Sequence, residues 1–313
     1  KKSNFRRNEL PAGRYKVMTA KQKRIILLQN SSKPDCRAVA AELLEWLGRR
    51  SDIVGENVHS EGVNPGCLPQ ADFMVVLGGD GTILSTVRGM GRNQVPIIGV
   101  NMGKLGFLAE FTVEQLKQHF EKITTESSFI RRRMMLKCQI RGPRRENYEG
   151  TIVNELAVIA GPPFRMIEVS GRIGSEHLAI CAGDGLIIAT STGSTAYNLS
   201  AGGPILAATL QAAVITPLAA HSLSFRPIVV NLDKPITVQC RDSHHRQKSA
   251  EGAAVVAIDG QESMALNNED EVIITAAEAC FQLVHNPSES QWHLLNAKLN
   301  WGTMPNYGEN YEK

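Results

Sequence analysis

The pattern of apolar residues changes near residue 128, and this change constrains the fold more than any other feature of the chain. Before it, strand-like apolar runs at 25–28, 73–77 and 96–100 alternate with helical segments. These segments cover 82–90, 113–123 and a stretch that places Val39, Leu43, Leu44 and Leu47 on one face. Such alternation builds a parallel sheet covered by helices. The first part is therefore predicted to be an α/β N-terminal domain with a parallel sheet.

After residue 128 the chain consists of short runs rich in β-branched residues, separated by turn residues. The runs cover 134–140, 151–159, 186–189, 227–232, 236–240, 253–258, 271–275 and 281–284. They are typical of an all-β sandwich, interrupted by one predicted helix at about 204–214. The predicted domains are thus 24–128 (α/β) and 129–285 (all-β). A basic, disordered extension is predicted at 1–23, and a tail at 286–313 is predicted to pack back on the first domain.

The overall composition excludes several classes of protein. A length of 313 residues suits two ordinary domains, and the formal net charge is only +3. Nucleic-acid binders gather basic residues in stripes, so no nucleic-acid partner is expected. The sequence has no apolar run of about 18 residues, so no membrane partner is expected either. Six cysteines without a CxxC pair and eight histidines without an HxxH pattern argue against a structural metal. We expect a cytoplasmic protein.

A glycine-rich turn, Gly78-Gly79-Asp80-Gly81-Thr82, follows the apolar run at 73–77 directly. Glycines in a strand-to-helix turn let backbone N–H groups approach a phosphate, so Gly78, Gly79, Gly81 and Thr82 are candidate phosphate ligands. Asp80 could serve there as a general base or contact a metal ion. A plain βα turn is the alternative explanation. The GxGxxG and GxxxxGK[ST] motifs are absent, which disfavours a Rossmann dehydrogenase and a P-loop ATPase.

Hydroxyl-bearing and small residues are concentrated in the segment 184–204, DGLIIATSTGSTAYNLSAGGP. Hydroxyls and exposed amides suit ribose hydroxyls and phosphate oxygens, and Tyr197 offers an aromatic face to a base. A flexible Ser/Thr/Gly loop is the alternative. Such a loop would not normally stand between an apolar strand and an apolar segment opened by GGP. The segment therefore favours a nucleotide-binding function.

Taken together, these motifs resemble those of the NAD kinase family. The resemblance rests on GGDGT, on residues 101–108 and 216–230, on Asn154-Glu155, on the segment 184–205 and on Asp259-Gly260-Gln261. The motifs follow the family's order and span about 24–285. GGDGT alone is a weak signal, because lipid kinases and phosphofructokinases share it. The long Ser/Thr segment is highly specific, and its combination with GGDGT identifies the chain as a member of this family.

The resemblance implies transfer of a phosphoryl group from ATP, or from another triphosphate or polyphosphate, to the adenosine ribose 2′-hydroxyl of NAD. It implies Asp80 as the general base, and Mg²⁺ or another divalent cation as the cofactor that accompanies ATP. No dedicated metal ligands can be traced in the sequence. The residues implied in NAD binding are Asp80, Gly81, Phe107, Asn154, Glu155, Arg165, Asp184, Thr195, Ala196, Tyr197, Ser200, Ala219 and Gln261.

The resemblance also implies a homodimer or homotetramer in which the second domain helps to complete a neighbour's NAD site. Two positions depart from the family pattern, Ala182 where a basic residue is common and Ala220 where the family has proline. Two other functions stay open. A lipid kinase of the GGDGT superfamily would lack the STGSTAY segment, and a non-catalytic NAD(P)-binding regulator would lack the carboxylate of Asp80.

Overall fold

The computed structural model describes residues 22–30, 34–59, 68–103, 106–242 and 254–302. Within these ranges the chain forms three sheets of six strands each and five α-helices. Most of the predicted N-terminal extension lies outside the described residues. Among the described residues, no helix has the length and apolarity needed to cross a membrane.

The first sheet has the strand order β2-β1-β3-β4-β18-β5. Its strands and associated helices are β1 (Arg24–Asn30), α1 (Pro34–Gly48), β2 (Asp52–His59), β3 (Phe73–Leu77), α2 (Asp80–Met90), β4 (Ile97–Val100), α3 (Val113–Thr125), β5 (Ile130–Arg133) and β18 (Phe281–Val284). The predicted strands and helices of this part are confirmed. Strand β2 was missed, because in DIVGENVH polar residues and a glycine interrupt the apolar pattern.

Both faces of this sheet are covered because its central strands are apolar on successive residues. In β1, Ile26 and Leu28 pack with the apolar residues of α2 on one face. Ile25 and Leu27 pack with α1 and α3 on the other. Helix α3 begins at a capping box, in which the side chains of Thr112 and Gln115 each accept a backbone N–H of the other residue. The strand-helix alternation is therefore explained by burial on two sides.

The predicted parallel sheet is confirmed for β2, β1, β3 and β4, but one edge of the sheet is antiparallel, so the whole sheet is mixed. Strand β18 joins it parallel to β4, and β5 pairs antiparallel with β18. Phe281–Val284 had been grouped with the all-β part, since a four-residue apolar run carries no information about which sheet it joins. Phe281 and Leu283 pack with the α2 face of the first sheet, which fixes the strand there.

The second part of the chain forms two antiparallel sheets, which confirms the all-β prediction. One has the order β10-β9-β14-β17-β6-β7 and the other β13-β12-β11-β8-β15-β16. The strands are β6 (Leu136–Arg141), β7 (Tyr148–Ile152), β8 (Glu155–Ala160), β9 (Ile167–Ile173), β10 (Glu176–Gly183), β11 (Gly185–Thr190), β12 (Ala213–Leu218), β13 (Ile228–Val230), β14 (Ile236–Asp242), β15 (Ala254–Ile258), β16 (Glu262–Leu266) and β17 (Glu271–Ala276). Apolar residues from both sheets form one core between them.

The predicted helix at 204–214 is also wrong. The α-helix nearest to it along the chain is the short α4 (Tyr197–Ser200), and β12 begins at Ala213. The intervening segment lies on the outer face of the third sheet, where Leu206 packs near Ala157 and Ile187. Its apolar residues therefore cover a sheet without forming a helix. The tail forms α5 (Gln291–Leu299), and just before it Ser288 hydrogen-bonds to His119 of α3, with 2.7 Å between Oγ and Nε2.

Candidate active site

Asp80 is the first residue of α2 and lies at the carboxyl end of β3, where parallel sheets commonly bind ligands. Backbone N–H groups of the next loop donate to its carboxylate. The N–H of Phe107 lies 2.8 Å from Oδ2, and those of Leu108 and Ala109 lie 3.0 and 3.1 Å from Oδ1. A Cβ at Gly106 would lie 1.9 Å from Oδ1, so only glycine allows this approach. The carboxylate is therefore held in one orientation.

The glycine-rich turn divides into buried and accessible residues. The N–H of Gly78 donates to the carbonyl of Val100 at 2.9 Å, and that of Thr82 donates to the carbonyl of Gly79 at 3.0 Å. Both Gly78 and Thr82 are buried, whereas Gly79 is half-buried and Gly81 is exposed. A ligand at the start of α2 can thus reach Gly79 and Gly81, while Gly78 and Thr82 shape the turn.

Gln261 connects this turn to the second part of the chain. Its side-chain amide donates to the carbonyl of Gly81 at 2.8 Å. Two residues earlier, the buried carboxylate of Asp259 accepts the backbone N–H groups of Val153, Asn154 and Glu155, the shortest bond being 2.7 Å. Arg88 of α2 reaches the same carboxylate at 3.5 Å. The 259–261 turn therefore fixes the start of β8 against the start of α2.

Asn154 and Glu155 form the edge of the site that faces this turn. The backbone carbonyl of Asn154 accepts the N–H of Thr190. Asn154 itself is half-buried. Burial raises the pKa of Glu155 to about 7, the charge of Asp259 adds to this, and the backbone N–H of Tyr197 opposes it. Oε2 of Glu155 has no hydrogen-bond partner within the described residues. Such an orphaned buried acceptor is a candidate ligand contact.

In the Ser/Thr segment most side-chain hydroxyls serve the fold. Thr190 donates to the carbonyl of Val153 at 2.7 Å, and Ser191 donates to that of Leu210 at 2.7 Å. Ser194 donates to the carbonyl of Ser191 and accepts the N–H of Leu206. Gly193 lets this segment pack closely against Asn154, because a Cβ at Gly193 would lie 2.1 Å from the carbonyl oxygen of Asn154. The residues that stay accessible in this segment include Thr195, Ala196, Tyr197 and Ser200.

A cavity of about 310 Å³ lies between the two parts of the chain. Phe107 and Thr195 border it, together with Arg131, Arg133 and residues of α5. Arg133 forms an ion pair with the buried Glu110 at 3.5 Å, and His285 approaches the same carboxylate at 2.7 Å. The cavity combines cationic groups, hydroxyls and an aromatic wall, as expected for a phosphorylated ligand.

Two family models match this chain. One describes the ATP-NAD kinase N-terminal domain and matches residues 59–128, and the other describes the ATP-NAD kinase C-terminal domain and matches 153–286. The NAD kinase of Trichlorobacter lovleyi is 35% identical over 288 residues, which cover 90% of this chain and 99% of that protein. The NAD kinase of Syntrophotalea carbinolica is 36% identical, with the same coverage of each chain.

The chain belongs to the NAD kinase family. This is a family of phosphotransferases, and two solved structures have a similar fold. Yeast NADH kinase, solved with NADH, has a TM-score of 0.82 at 22% identity and covers 94% of this chain and 91% of its own. The NAD kinase from Archaeoglobus fulgidus, solved with ATP, has a TM-score of 0.67 at 25% identity and covers 85% and 94%.

Most residues assigned to NAD through the NAD kinase resemblance converge near Asp80, but three do not. Arg165 and Asp184 are exposed, and Ala219 follows β12 with a φ of 43°. The backbone of Asp184 bonds to Ala160 and Leu218. Because of these bonds, Arg165, Asp184 and Ala219 lie at one end of β8, β11 and β12, and Glu155 lies at the other end. The six residues of β11 separate the two ends by about 17 Å.

Several residues near the site were not predicted from the sequence. Glu110, Arg133 and His285 come from three different elements and meet in one buried charge cluster. Lys298 of α5 places its Nζ 4.6 Å from the ring centre of Phe107. Only buried charges inside apolar runs, such as Glu110 in GFLAEF, offered a hint. The residues that these charges contact lie more than 20 positions away along the chain. The spacing of residues in the sequence therefore could not reveal the contacts.

Proposed function

We propose that the chain transfers the terminal phosphoryl group of ATP to the adenosine ribose 2′-hydroxyl of NAD. The observation that carries this is the carboxylate of Asp80, oriented by three backbone N–H groups beside the accessible Gly79 and Gly81. An alcohol is a weak nucleophile, and a positioned carboxylate can take its proton during attack on phosphorus. Amides at the start of α2 suit the phosphate oxygens.

In the proposed arrangement the adenosine lies between Phe107, the Asn154-Glu155 pair and the segment Thr195–Ser200. The orphaned Oε2 of Glu155 and the half-buried amide of Asn154 are suited to ribose hydroxyls. Tyr197 is 45% exposed and can stack on the adenine ring. Gln261 holds Gly81 in place through its hydrogen bond and lies within reach of the same ligand.

We propose that Mg²⁺, or another divalent cation, enters with the phosphates of ATP and neutralises part of their charge. Among the described residues, no group of three or more His, Cys, Asp or Glu side chains converges as in a protein-built metal site. Both oxygens of Asp80 already accept backbone N–H groups, so the protein itself orients this carboxylate.

We further propose that Arg165, Asp184 and Ala219 contribute to the NAD site of a neighbouring copy, in a homodimer or homotetramer. Their position at the far end of β11, about 17 Å from the end at which Glu155 lies, supports this. The exposed apolar residues near this end, Phe164 at 76% and Leu223 at 90%, suit burial in an interface.

A cytoplasmic location is part of the proposal. Cys138, Cys181 and Cys280 form no disulfide, as is usual where thiols are kept reduced.

The test is a coupled assay in which NADP is detected with an NADP-specific dehydrogenase. Purified protein is incubated with Mg²⁺, ATP and NAD, and in parallel with diacylglycerol or sphingosine as acceptor. NADP formation without lipid phosphorylation is the expected result. Lipid phosphorylation would instead establish the lipid-kinase alternative, and NAD binding without turnover with any acceptor would establish the regulator.

A further inference from the structure

Helix α5 brings a lysine to the edge of the proposed active site. The helix is capped by Ser290, whose Oγ accepts the N–H of His293 at 3.0 Å. Leu294 and Leu295 are each 4% exposed and border the cavity that Phe107 also borders. Lys298 follows in the last turn. The helix is therefore anchored by its apolar residues, and the position of Lys298 follows from that packing.

The segment that leads into α5 is bound to the same loop that holds Asp80. Glu110 directly follows the three N–H donors of that loop. Its Oε2 accepts the backbone N–H of Asn286 at 3.1 Å and lies 2.7 Å from Nδ1 of His285. Its carbonyl accepts the side-chain amide of Asn286 at 2.9 Å. Glu110 thus connects the loop that binds Asp80 to the segment that precedes α5.

The ammonium group of Lys298 lies over the face of Phe107, with Nζ 4.6 Å from the ring centre. The backbone N–H of Phe107 in turn donates to Oδ2 of Asp80 at 2.8 Å. Lys298 is half-buried, and within the described residues its ammonium group lies on this ring and forms no ion pair. Burial lowers its pKa, whereas the charge of Asp80 opposes that shift. A partly desolvated cation without an ion-pair partner is costly unless an anion joins it.

We propose that Lys298 contacts the phosphoryl group in transit between a nucleoside triphosphate and the alcohol at Asp80, an inference that rests on the function proposed above. The alcohol oxygen forms a bond to the γ-phosphorus, and the bond from that phosphorus to the β,γ-bridging oxygen breaks. The alcohol proton passes to Asp80, and the bridging electron pair leaves with the nucleoside diphosphate. The ammonium of Lys298 balances charge on the transferring oxygens.

A purely structural role for this lysine would give a different energetic signature. A surface lysine lying on an aromatic ring contributes modestly to stability and nothing specific to turnover. A cation aimed at a transition state acts on kcat, and removing one such group typically costs about a hundred- to a thousandfold. The two roles are therefore separable by kinetics.

The experiment compares Lys298→Gln and Lys298→Arg with the wild-type protein. Lys298→Met is a second neutral variant, so that a folding defect of one substitution does not hide the result. Lys117→Gln is the matched control, because Lys117 is also a helical lysine but pairs with Glu42 away from the site. For each protein, kcat, the KM of ATP, NAD affinity by calorimetry and the unfolding temperature are measured.

Both neutral variants are expected to lower kcat by about a hundredfold or more, with NAD affinity within about twofold of wild type. The kcat of the arginine variant should be at least about tenfold higher than that of the neutral variants, since the positive charge is kept. The proposal is overturned if a folded neutral variant keeps kcat within about threefold of wild type. It is also overturned if the loss lies only in NAD affinity, or if the arginine variant is as slow as the neutral ones. A wild-type protein that makes no NADP would instead contradict the proposed function.

Discussion

At the scale of single residues, the orientation of Asp80 depends on a missing side chain. Gly106 faces the carboxylate so closely that a Cβ would lie 1.9 Å from Oδ1, and the N–H groups of residues 107–109 bind the carboxylate beside it. The position of a catalytic carboxylate must be held to a fraction of an ångström. Gly106 is therefore part of the proposed catalytic geometry although it has no functional group.

Gly106→Ala should displace the carboxylate, lower kcat by at least about tenfold and destabilise the fold by about 1–3 kcal/mol. The measurements are steady-state kinetics and urea unfolding. Gly103→Ala is the matched control, because a Cβ at Gly103 meets nothing within 4 Å. Wild-type kcat in Gly106→Ala would show that the geometry at Asp80 is not needed.

Glu155 should make stability depend on pH. Burial raises its pKa from 4.5 to about 7, so between these values the folded chain holds a proton that the unfolded chain has released. The stabilisation that this proton provides is present at low pH and is lost as pH rises through about 7. The loss amounts to about 1–3 kcal/mol.

The free energy of unfolding of wild type and Glu155→Gln, measured in urea at about pH 5 and about pH 8, tests this linkage. The introduced glutamine cannot ionise, so the variant should gain stability relative to wild type at the higher pH. Parallel pH dependence of the two proteins would refute an elevated pKa at this position.

At the scale of elements, a buried ion pair contributes to the contact between α2 and the second part of the chain. Arg88 lies 3.5 Å from Asp259, whose side chain is fully buried, and 3.1 Å from Glu262. Arg88→Met removes the positive charge that pairs with Asp259 and should cost about 3–5 kcal/mol of unfolding free energy. Chemical denaturation measures this directly.

The matched control is Arg92→Met. Arg92 also pairs with a carboxylate, Glu278, but both side chains are about three-quarters exposed. Its loss should change stability by less than about 1 kcal/mol. Equal losses of unfolding free energy in the two variants would mean that the Arg88–Asp259 pair does not stabilise the contact between α2 and the second part of the chain.

The sequence predicted elements well wherever burial on one or two faces leaves a periodic pattern. Helices α1 and α3 and the fully buried β3 belong to this group, and so does the glycine-rich turn after β3. Prediction from the sequence failed where tertiary contacts determine the secondary structure or the sheet that a strand joins. The 204–214 segment is apolar because it covers a sheet, and Phe281–Val284 is too short for its pattern to show which sheet it joins.

The candidate site followed the same division. Asp80 was predicted from the glycine-rich turn, whereas Asn154 and Gln261 were predicted from the resemblance to the NAD kinase family. Glu110, Arg133, His285 and Lys298 were missed, because each acquires its role from a neighbour far along the chain. Motif residues thus located the site, whereas the charges around it needed the structure.

At the scale of the whole molecule, the candidate NAD residues form two groups at opposite ends of the third sheet. Asp80 belongs to one and Asp184 to the other, and in the proposed oligomer a neighbouring copy brings them to one NAD molecule. Asp80→Asn and Asp184→Ala, each nearly inactive alone, should therefore complement when co-expressed. In a random dimer about a quarter of wild-type activity should return. No recovery, with mixed oligomers present by mass spectrometry, would contradict the sharing of one NAD site between two copies.

The most direct test of the central claim, that Asp80 is the general base of an NAD kinase, is single-turnover NADP formation by Asp80→Asn. The introduced asparagine keeps an acceptor oxygen for the N–H groups of Leu108 and Ala109 and loses only the bond from Phe107. The variant should fold and bind NAD, while its rate falls by about a hundred- to ten-thousandfold. A rate close to wild type, with folding and NAD affinity unchanged, would contradict the claim.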